Sequence, residues 1–266
     1  MKIFTSNHSK IKNRLVNFLL STTFFMVVLI IWGIMAERFN PLLLPSPVRV
    51  GKALLDLMYS PEFYRHLTVT LKRTLFGYGG AVGMGILTAL LLSTSSFWQR
   101  VIRPVITVIQ ATPPIIWLAL AVIWFGIAED LTPIFLIFMV TFPIIFVNIF
   151  AGIQDIDIKL VEMARLYRCS RKKIIWEIYL PALFPHLISA LSIGFAFAWK
   201  STVFAECLGS SSGVGYALSV ANSNLATDYL FAWAIILISF MLIVEYLILK
   251  PLQKKVTRWK KDDSSA

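Results

Sequence analysis

Six long apolar stretches, separated by polar segments, dominate the pattern of hydrophobic and polar positions along this chain. A helix needs roughly 20 apolar residues to cross a hydrocarbon core about 30 Å thick, and each stretch is long enough. The pattern therefore predicts an all-α integral membrane protein with six transmembrane helices, at about residues 15–36, 71–93, 101–127, 131–153, 183–208 and 229–249.

Three further segments complete the predicted organisation around a membrane domain at residues 15–250. A basic N-terminus covers residues 1–14, a basic tail covers residues 251–266, and a long polar loop covers residues 154–181. The first apolar stretch carries no charge and is longer than the apolar core of a secretory signal peptide. We therefore expect it to be an uncleaved span.

The composition excludes a soluble enzyme, a disordered chain and a disulfide scaffold. Of the 266 residues, 58% are hydrophobic and 15% are charged, whereas about a quarter of a soluble domain is charged. The net charge of +11 would suggest nucleic-acid binding in a soluble protein. With both termini in the cytoplasm, however, 18 of the 25 basic residues fall on the cytoplasmic side. We therefore expect a multi-pass protein of the inner (cytoplasmic) membrane, surrounded by lipid and binding no nucleic acid.

A cluster of glycines in the second span indicates close helix packing. Gly77, Gly79, Gly83 and Gly85 recur at spacings that place small residues on common helix faces, and such faces let helices approach closely in lipid. A dinucleotide-binding loop would need a preceding strand, which the sequence lacks. The contact is expected within the subunit or across a dimer.

Prolines interrupt the third and fourth predicted spans. Pro113 and Pro114 lie in the third, beside the polar residues Gln110 and Thr112, and further prolines lie in the fourth. A proline inside a helix frees backbone carbonyls that neighbours or water must satisfy. The polar pair next to a kink indicates either a pathway or gate, or simply a kinked packing helix.

Lys200 is a basic residue within the fifth predicted span. A lysine at the centre of a bilayer costs on the order of 3 kcal/mol on insertion scales. Lys200 is therefore expected to extend towards the interface, to pair with an acid such as Glu206, or to serve an anion pathway. Because Glu206 is six positions further on, the two are not on one helix face, and pairing would need another helix or subunit.

The polar loop at residues 154–181 reads as two short amphipathic helices. Leu160, Val161 and Ala164 recur at helical spacing in the first, and isoleucines do so in the second, which is predicted to end before Pro181. Such a pair offers an apolar ridge to a partner protein. From periodicity alone, it could equally be an interfacial helix lying on lipid.

Seven positions of this loop carry a spaced pattern: Glu162, Met163, Ala164, Arg168, Ile178, Leu180 and Pro181. The pattern resembles the EAA loop of binding-protein-dependent ABC importer permeases, which reads Glu-Ala-Ala, three residues, Gly, nine residues, Ile-x-Leu-Pro. Met163 replaces an alanine, and Arg168 replaces the glycine that breaks the helix at the turn. Arg168 must make that turn at a modest strain, since it lacks the conformational freedom of glycine.

The resemblance extends over about four-fifths of the chain, from residue 44 to about residue 258. Separated segments look like the nitrate/sulfonate/taurine-type permeases, and they lie at residues 111–114, 117–119, 124–127, 205–206 and 213–216, with Pro143 and Gly152. The resemblance implies the membrane-spanning subunit of an importer for a small solute, such as a nitrate-, sulfonate- or taurine-like anion. Relatives of this type also carry pyrimidine or thiamine precursors, and the sequence leaves that alternative open.

The resemblance also implies partners. The subunit would pair with a second copy, dock two copies of an ABC ATPase in the cytoplasm, and receive its ligand from an external substrate-binding protein. It would use the loop residues Glu162, Met163, Ala164, Arg168, Ser170, Ile178, Leu180 and Pro181 for ATPase coupling. Lys200, Glu206, Gln110 and Thr112 would be possible pathway or gate residues.

The chain itself is not expected to be an enzyme. The sequence contains no Gly-x4-Gly-Lys-Ser/Thr phosphate loop, so ATP and Mg²⁺ would bind to the partner ATPase and the chain would hold no cofactor of its own. Its three histidines and two cysteines are scattered, which favours neither a metal site nor a catalytic triad. An ATP-independent channel or secondary transporter is the remaining alternative, although the sequence shows neither the internal repeat nor the several intramembrane acids typical of secondary carriers.

Overall fold

The computed structural model of the chain describes residues 4–127 and 130–253, and the regular structure of these residues is helical throughout. Residues 254–266 of the predicted basic tail lie outside the described part. The helices are α1 Phe4–Arg38, α2 Pro47–Tyr59, α3 Pro61–Ser93, α4 Ser96–Ala111, α5 Pro114–Phe125, α6 Leu131–Gln154, α7 Ile158–Leu166, α8 Arg171–Ile174, α9 Leu180–Gly209, α10 Val214–Ser223 and α11 Thr227–Val244. Two π-helical segments, Ile175–Tyr179 and Glu245–Leu249, join α8 to α9 and extend α11.

Two Ser-Pro pairs fix where α2 and α3 begin. The Ser46 hydroxyl accepts the Arg49 N–H at 3.4 Å, and the Ser60 hydroxyl accepts the Phe63 N–H at 3.2 Å. A proline follows each serine as the first helical residue, where its missing N–H has no consequence. Helix α3 therefore begins ten residues before the second predicted span, and its 33 residues extend over about 50 Å.

The third predicted span consists of two helices, with the break at Pro113, one of the prolines expected to interrupt it. Helices α4 and α5 meet at an angle of 94°, because Thr112 precedes Pro113 and is extended, with ψ of 123°. The fourth predicted span, by contrast, forms a single helix. Helix α6 runs without interruption through Pro143, so this proline does not break the helix.

Four of the described helical runs are long and apolar enough to cross a membrane, and the bent α4–α5 pair makes a fifth if it counts as one span. The four are Pro61–Ser93, Leu131–Gln154, Arg171–Gly209 and Thr227–Gln253. Helix α1 contains the first predicted span and contacts the rest near its C-terminal end, where the Trp32 ring stacks on Phe231 at 5.8 Å. The fold is therefore an all-helical multi-pass membrane domain, while the total of six spans remains a prediction.

Helix α6 lies between α3 and α9 at the centre of the fold. A Cβ added at Gly77 or Gly85 of α3 would lie 2.7 Å from Ile137 or Ile145 of α6, and one added at Gly194 of α9 would lie 2.6 Å from Ile145. These contacts need glycine, because a larger residue would push the helices apart. One predicted glycine face thus packs within the subunit, at Gly77 and Gly85. The other, Gly79 and Gly83, faces open space.

A second cluster joins α2, α9, α10 and α11. Trp199 of α9 stacks on Phe240 of α11 at 4.4 Å and donates its ring N–H to the Leu237 carbonyl at 3.2 Å. Helix α7 precedes α9 and α10 follows it, so the two short helices lie at opposite ends of the long helix. We call these ends the α7 side and the α10 side.

Substitutions of the two glycine faces distinguish these environments. Gly85→Ala is expected to lower the free energy of unfolding by about 1–3 kcal/mol, because its Cβ would overlap Ile145. Gly83→Ala is the matched control, since nothing lies within 4 Å of its Cβ position. Alanine is the better helix former, by up to about 1 kcal/mol. Thermal unfolding of the purified protein in detergent measures both, and equal shifts would contradict the packing of α3 on α6.

Candidate functional site

A cluster of charged and polar groups closes the α10 side of the helix bundle. The Arg73 guanidinium of α3 contacts Asp130 before α6 at 2.6 Å, Glu206 of α9 at 3.2 Å and the Ser212 carbonyl at 2.7 Å. It also donates to the Ser212 hydroxyl at 2.9 Å. One side chain therefore links three regions that are far apart in the sequence, around residues 73, 130 and 206–212. We call Arg73, Asp130, Glu206 and Ser212 the Arg73 clasp.

The clasp also fixes the beginning of α10. Three successive backbone N–H groups, which a helix N-terminus leaves without intrahelical partners, are bound by buried side chains. The acceptors are His66 Nδ1 for Gly213 at 3.0 Å, Thr70 Oγ1 for Val214 at 2.8 Å and Glu206 Oε2 for Gly215 at 3.0 Å. The Glu206 carboxylate thus neutralises both Arg73 and the positive end of the α10 dipole.

Gly213 is required by this arrangement. Its φ of +105° is a conformation that residues with a side chain rarely adopt. A Cβ at this position would also overlap the Glu206 carboxylate. The glycine therefore allows the chain to turn directly over the buried acid.

The two acids of the clasp lie in different environments. The Glu206 side chain is 0% exposed and Arg73 is 2% exposed, whereas the Asp130 carboxylate is 69% exposed. A buried ion pair loses much when one member is removed, while an exposed one contributes little. Arg73 and Glu206 therefore form the structural centre of the clasp.

The position of Glu206 differs from that of a side chain lining an open pathway. It is fully enclosed, and its cation is Arg73 of another helix, not Lys200. Arg73 was missed in the sequence because it lies near the predicted loop boundary. A signal was present nevertheless: Thr70, Arg73 and Thr74 recur at helical spacing, and all three are buried.

The remaining candidate pathway residues are not brought together with Glu206. Lys200 is exposed on α9, where its Nζ lies 5.8 Å from the Phe197 ring centre. Gln110 is exposed at the end of α4. At the α4–α5 bend, the Thr112 hydroxyl and the Thr112 N–H both donate to the Val108 carbonyl, at 2.8 and 3.0 Å.

On the α7 side, the polar loop forms a short helix that ends in a tight turn. The Asp157 carboxylate accepts the Lys159 N–H at 2.9 Å and caps the beginning of α7. At the other end, Cys169 N–H donates to the Ala164 carbonyl at 3.0 Å, and Arg168 N–H donates to Arg165 at 2.9 Å. This pair of bonds is a Schellman motif, whose turning residue is usually glycine.

Arg168 occupies the turning position of that motif with a φ of +55°. The left-handed conformation costs an ordinary residue roughly 1–2 kcal/mol. The spacing between Ala164 and residue 168 thus has a physical basis. Ala164, whose carbonyl accepts the bond, and Arg168, which reverses the chain, are four positions apart in this helix terminus.

The second predicted loop helix is not separate, and this corrects the sequence-based prediction. The Ser170 hydroxyl caps α8 by accepting the Lys173 N–H at 3.3 Å, and helix then continues without a break from Arg171 to Gly209. The helix passes Pro181 because the preceding turn is π-helical: Leu180 N–H bonds to the Ile175 carbonyl. In this wider turn, N–H groups bond to carbonyls five residues earlier. The helix continues through Pro181 although that residue has no N–H to donate.

Helix α7 presents an apolar surface away from the bundle. Val161 is buried at 6% exposure and anchors the helix. Leu160, Met163, Leu166 and Tyr167 are exposed on its outside, as is Glu162, while Ala164 is half-buried. The pattern is typical of a short helix held by one face and available on the other.

These features define a class of protein: a helical membrane subunit with a structured loop on one side and an ion-paired closure on the other. Its described residues contain no group of three potential metal ligands. The chain belongs to the family of the binding-protein-dependent transport system inner membrane component, whose model matches residues 81–258.

Curated relatives cover most of the chain. The taurine transport system permease protein TauC of Escherichia coli K12 is 29% identical over 88% of this chain and 86% of its own. The putative aliphatic sulfonates transport permease protein SsuC of Bacillus subtilis is 28% identical over 88% and 85%. The formylaminopyrimidine transport permease protein ThiX of Halalkalibacterium halodurans is 26% identical over 90% and 95%. A Synechocystis nitrate import permease protein, NrtB, is 28% identical over 77% and 78%.

Solved structures share the fold. A bacterial alginate ABC transporter, crystallised with an alginate pentasaccharide-bound periplasmic protein, matches 96% of this chain and 98% of its own with a TM-score of 0.62 and 16% identity. The MetNI methionine ABC transporter matches 71% and 93% with a TM-score of 0.60 and 15% identity. The chain is therefore a non-catalytic, membrane-spanning subunit of an ABC importer.

The clasp predicts that breaking its buried ion pair costs far more than removing its exposed acid. Arg73→Met is expected to lower the free energy of unfolding by about 3–5 kcal/mol, because it leaves the buried Glu206 carboxylate without its cation. Asp130→Asn is the control and should cost about 0–1 kcal/mol. The double variant Arg73→Met/Glu206→Gln should recover part of the loss. Unfolding in mixed detergent micelles measures all three, and equal losses for Arg73→Met and Asp130→Asn would refute the assignment.

Proposed function

We propose that this subunit carries a small oxyanion, of the sulfonate, taurine or nitrate type, across the cytoplasmic membrane. The observation that supports it most is that relatives aligning over more than three-quarters of the chain transport such anions by name. Two copies would pair as a homodimer with the pathway between them. A cytoplasmic ATPase pair would bind the ATP and Mg²⁺, and an external binding protein would deliver the anion.

The α7 side would be cytoplasmic, with both termini on that side and six spans in total. The support is the distribution of basic residues. Lys159, Arg165, Arg168 and the run at 171–173 all lie around α7, whereas acids predominate in the later connections at the α10 side. Basic residues in short loops orient membrane proteins with those loops inside.

Coupling to ATP hydrolysis would use the exposed surface of α7. Its apolar residues fit the groove of a partner protein, and the capped ends of α7 hold its shape. The continuous helix from Arg171 to Gly209 would then carry a displacement of the loop to the α10 side as one lever. ATP-driven closure of the ATPase pair would shift the balance between inward- and outward-open states.

The pathway would lie along faces left uncovered by this chain. Gln110 and Thr112 at the α4–α5 bend would form a gate, because a bend between two helices can change its angle more easily than a continuous helix can. The face of α3 at Gly79 and Gly83, open in the single subunit, would take part in the contact between copies.

A second ligand class has specific support. The formylaminopyrimidine relative aligns over 90% of this chain, so a pyrimidine or thiamine precursor is the alternative substrate. The ligand of the cognate binding protein, measured by calorimetry, distinguishes the two. Tight binding of taurine or an alkanesulfonate supports the anion, and binding of a formylaminopyrimidine overturns it.

A charge reversal on α7 tests the coupling role. Glu162→Lys is expected to reduce binding-protein-stimulated ATPase activity and uptake more than tenfold, because Glu162 lies on the exposed face of the proposed docking helix. Glu177→Lys is the matched control, since Glu177 is also exposed but lies beyond the turn, in the π-helical segment. Both are measured on the complete importer in proteoliposomes, with co-purification of the ATPase as a check on assembly. Full uptake and stimulated ATPase activity in Glu162→Lys would show that α7 does not couple the two subunits.

A further inference from the structure

We infer that Lys200 binds the transported oxyanion inside the membrane, as a specificity-determining residue of the pathway. The inference rests on the proposed function for the existence of a pathway between two copies. It adds to the proposed function the residue that would make the pathway selective for anions.

Lys200 lies on a face of α9 that nothing in this chain covers. Its neighbours on that face are all exposed and apolar, at spacings of three or four residues: Ile193, Phe197, Phe204 and Leu208. The opposite face is buried against α6 and the α10 side, with Ala198, Thr202 and Glu206 enclosed. Within the described residues, Lys200 is therefore the charged group of this uncovered face of α9, which also carries the exposed hydroxyl of Ser189.

With Gly209 taken as the edge of the hydrocarbon core, Lys200 would lie well inside it. It is six residues from Glu206 of the clasp and nine from Gly209, the end of α9, or about 14 Å along the helix from that end. Half the core thickness is about 15 Å. A charge at this depth needs a partner or water.

The charged side chains of the clasp, and the pair formed by Glu245 and Lys250 after α11, are held in ion pairs. Arg73 pairs with Glu206 and Asp130, and Glu245 pairs with Lys250 at 3.1 Å. Within the described residues, Lys200 forms no ion pair, and its ammonium contacts the Phe197 ring at 5.8 Å. An unpaired cation on an uncovered face can hold a mobile anion, because no fixed carboxylate of this chain competes for it.

The surroundings of Lys200 fit an organic sulfonate particularly well. An ammonium group donates hydrogen bonds to an oxyanion. Phe197, one turn before Lys200, and Phe204, one turn after it, offer apolar surface to a short alkyl chain. The positive charge of Lys200 favours an oxyanion over a neutral heterocycle, whereas the two rings could contact either ligand.

Uptake by the complete importer in proteoliposomes tests the inference, with labelled taurine, ethanesulfonate and nitrate as probes. Lys200→Met should lower anion uptake at least tenfold while binding-protein-stimulated ATPase activity stays within twofold, because α7 and the clasp are unchanged. Lys200→Arg should keep at least half of the uptake. Lys72→Met is the matched control, since Lys72 is also exposed but lies next to the clasp, and it should leave uptake within twofold.

Three results would overturn the inference: uptake within twofold in Lys200→Met, an equal loss in Lys72→Met, or a wild-type importer that carries a formylaminopyrimidine and none of the anions. The first two leave the proposed function standing. Wild-type protein with no ATP-dependent uptake of any probe and no stimulated ATPase activity would instead reject the proposed function, and the inference with it.

Thiol labelling provides a second measurement that does not depend on transport. A Lys200→Cys variant, with Cys169 and Cys207 replaced by serine, is treated with a membrane-impermeant sulfonate-bearing methanethiosulfonate. A thiol in an aqueous pathway forms the mixed disulfide, and taurine with the liganded binding protein should slow that reaction. A thiol facing lipid stays unlabelled, which would assign Lys200 to the lipid surface and exclude it from the pathway.

Discussion

The buried ion pair between Arg73 and Glu206 is the interaction on which the α10 side of the structure depends. Both side chains are buried, so each charge is stabilised only by the other and by the surrounding hydrogen bonds. Glu206 also binds the beginning of α10, and Arg73 binds Ser212 and Asp130. Removing one member of the pair would leave the other charge buried without a counter-ion. Asp130, Ser212 and the beginning of α10 would also lose a shared contact.

At the other end of α9, backbone hydrogen bonds determine the structure in the same way. The π-helical turn before Pro181 keeps α9 continuous with α8, and the Schellman turn at Arg168 ends α7. One continuous helix from Arg171 to Gly209 thus extends from the turn after α7 to the clasp. In the proposed importer, this helix would transmit movement of the loop to the pathway.

The sequence predicted the helical class and an interruption at the prolines of the third span, because apolar length and residue spacing are local properties. It did not predict the 94° angle at that interruption, or the passage of helix through Pro143 and Pro181. Those outcomes depend on how neighbouring helices satisfy freed backbone groups. The Arg73–Glu206 pair joins residues 133 positions apart, and only the folded chain brings them together. The same contact encloses Glu206, and a role of this residue in the gate stays a prediction.

The central claim is that this chain forms a pathway that opens only when a partner hydrolyses ATP. The most direct measurement is taurine uptake into proteoliposomes that contain the permease, its ATPase and the external binding protein, with and without ATP inside. The account predicts uptake against a gradient only when ATP and the binding protein are both present. Equal uptake without nucleotide would contradict it and identify an ATP-independent channel or secondary transporter.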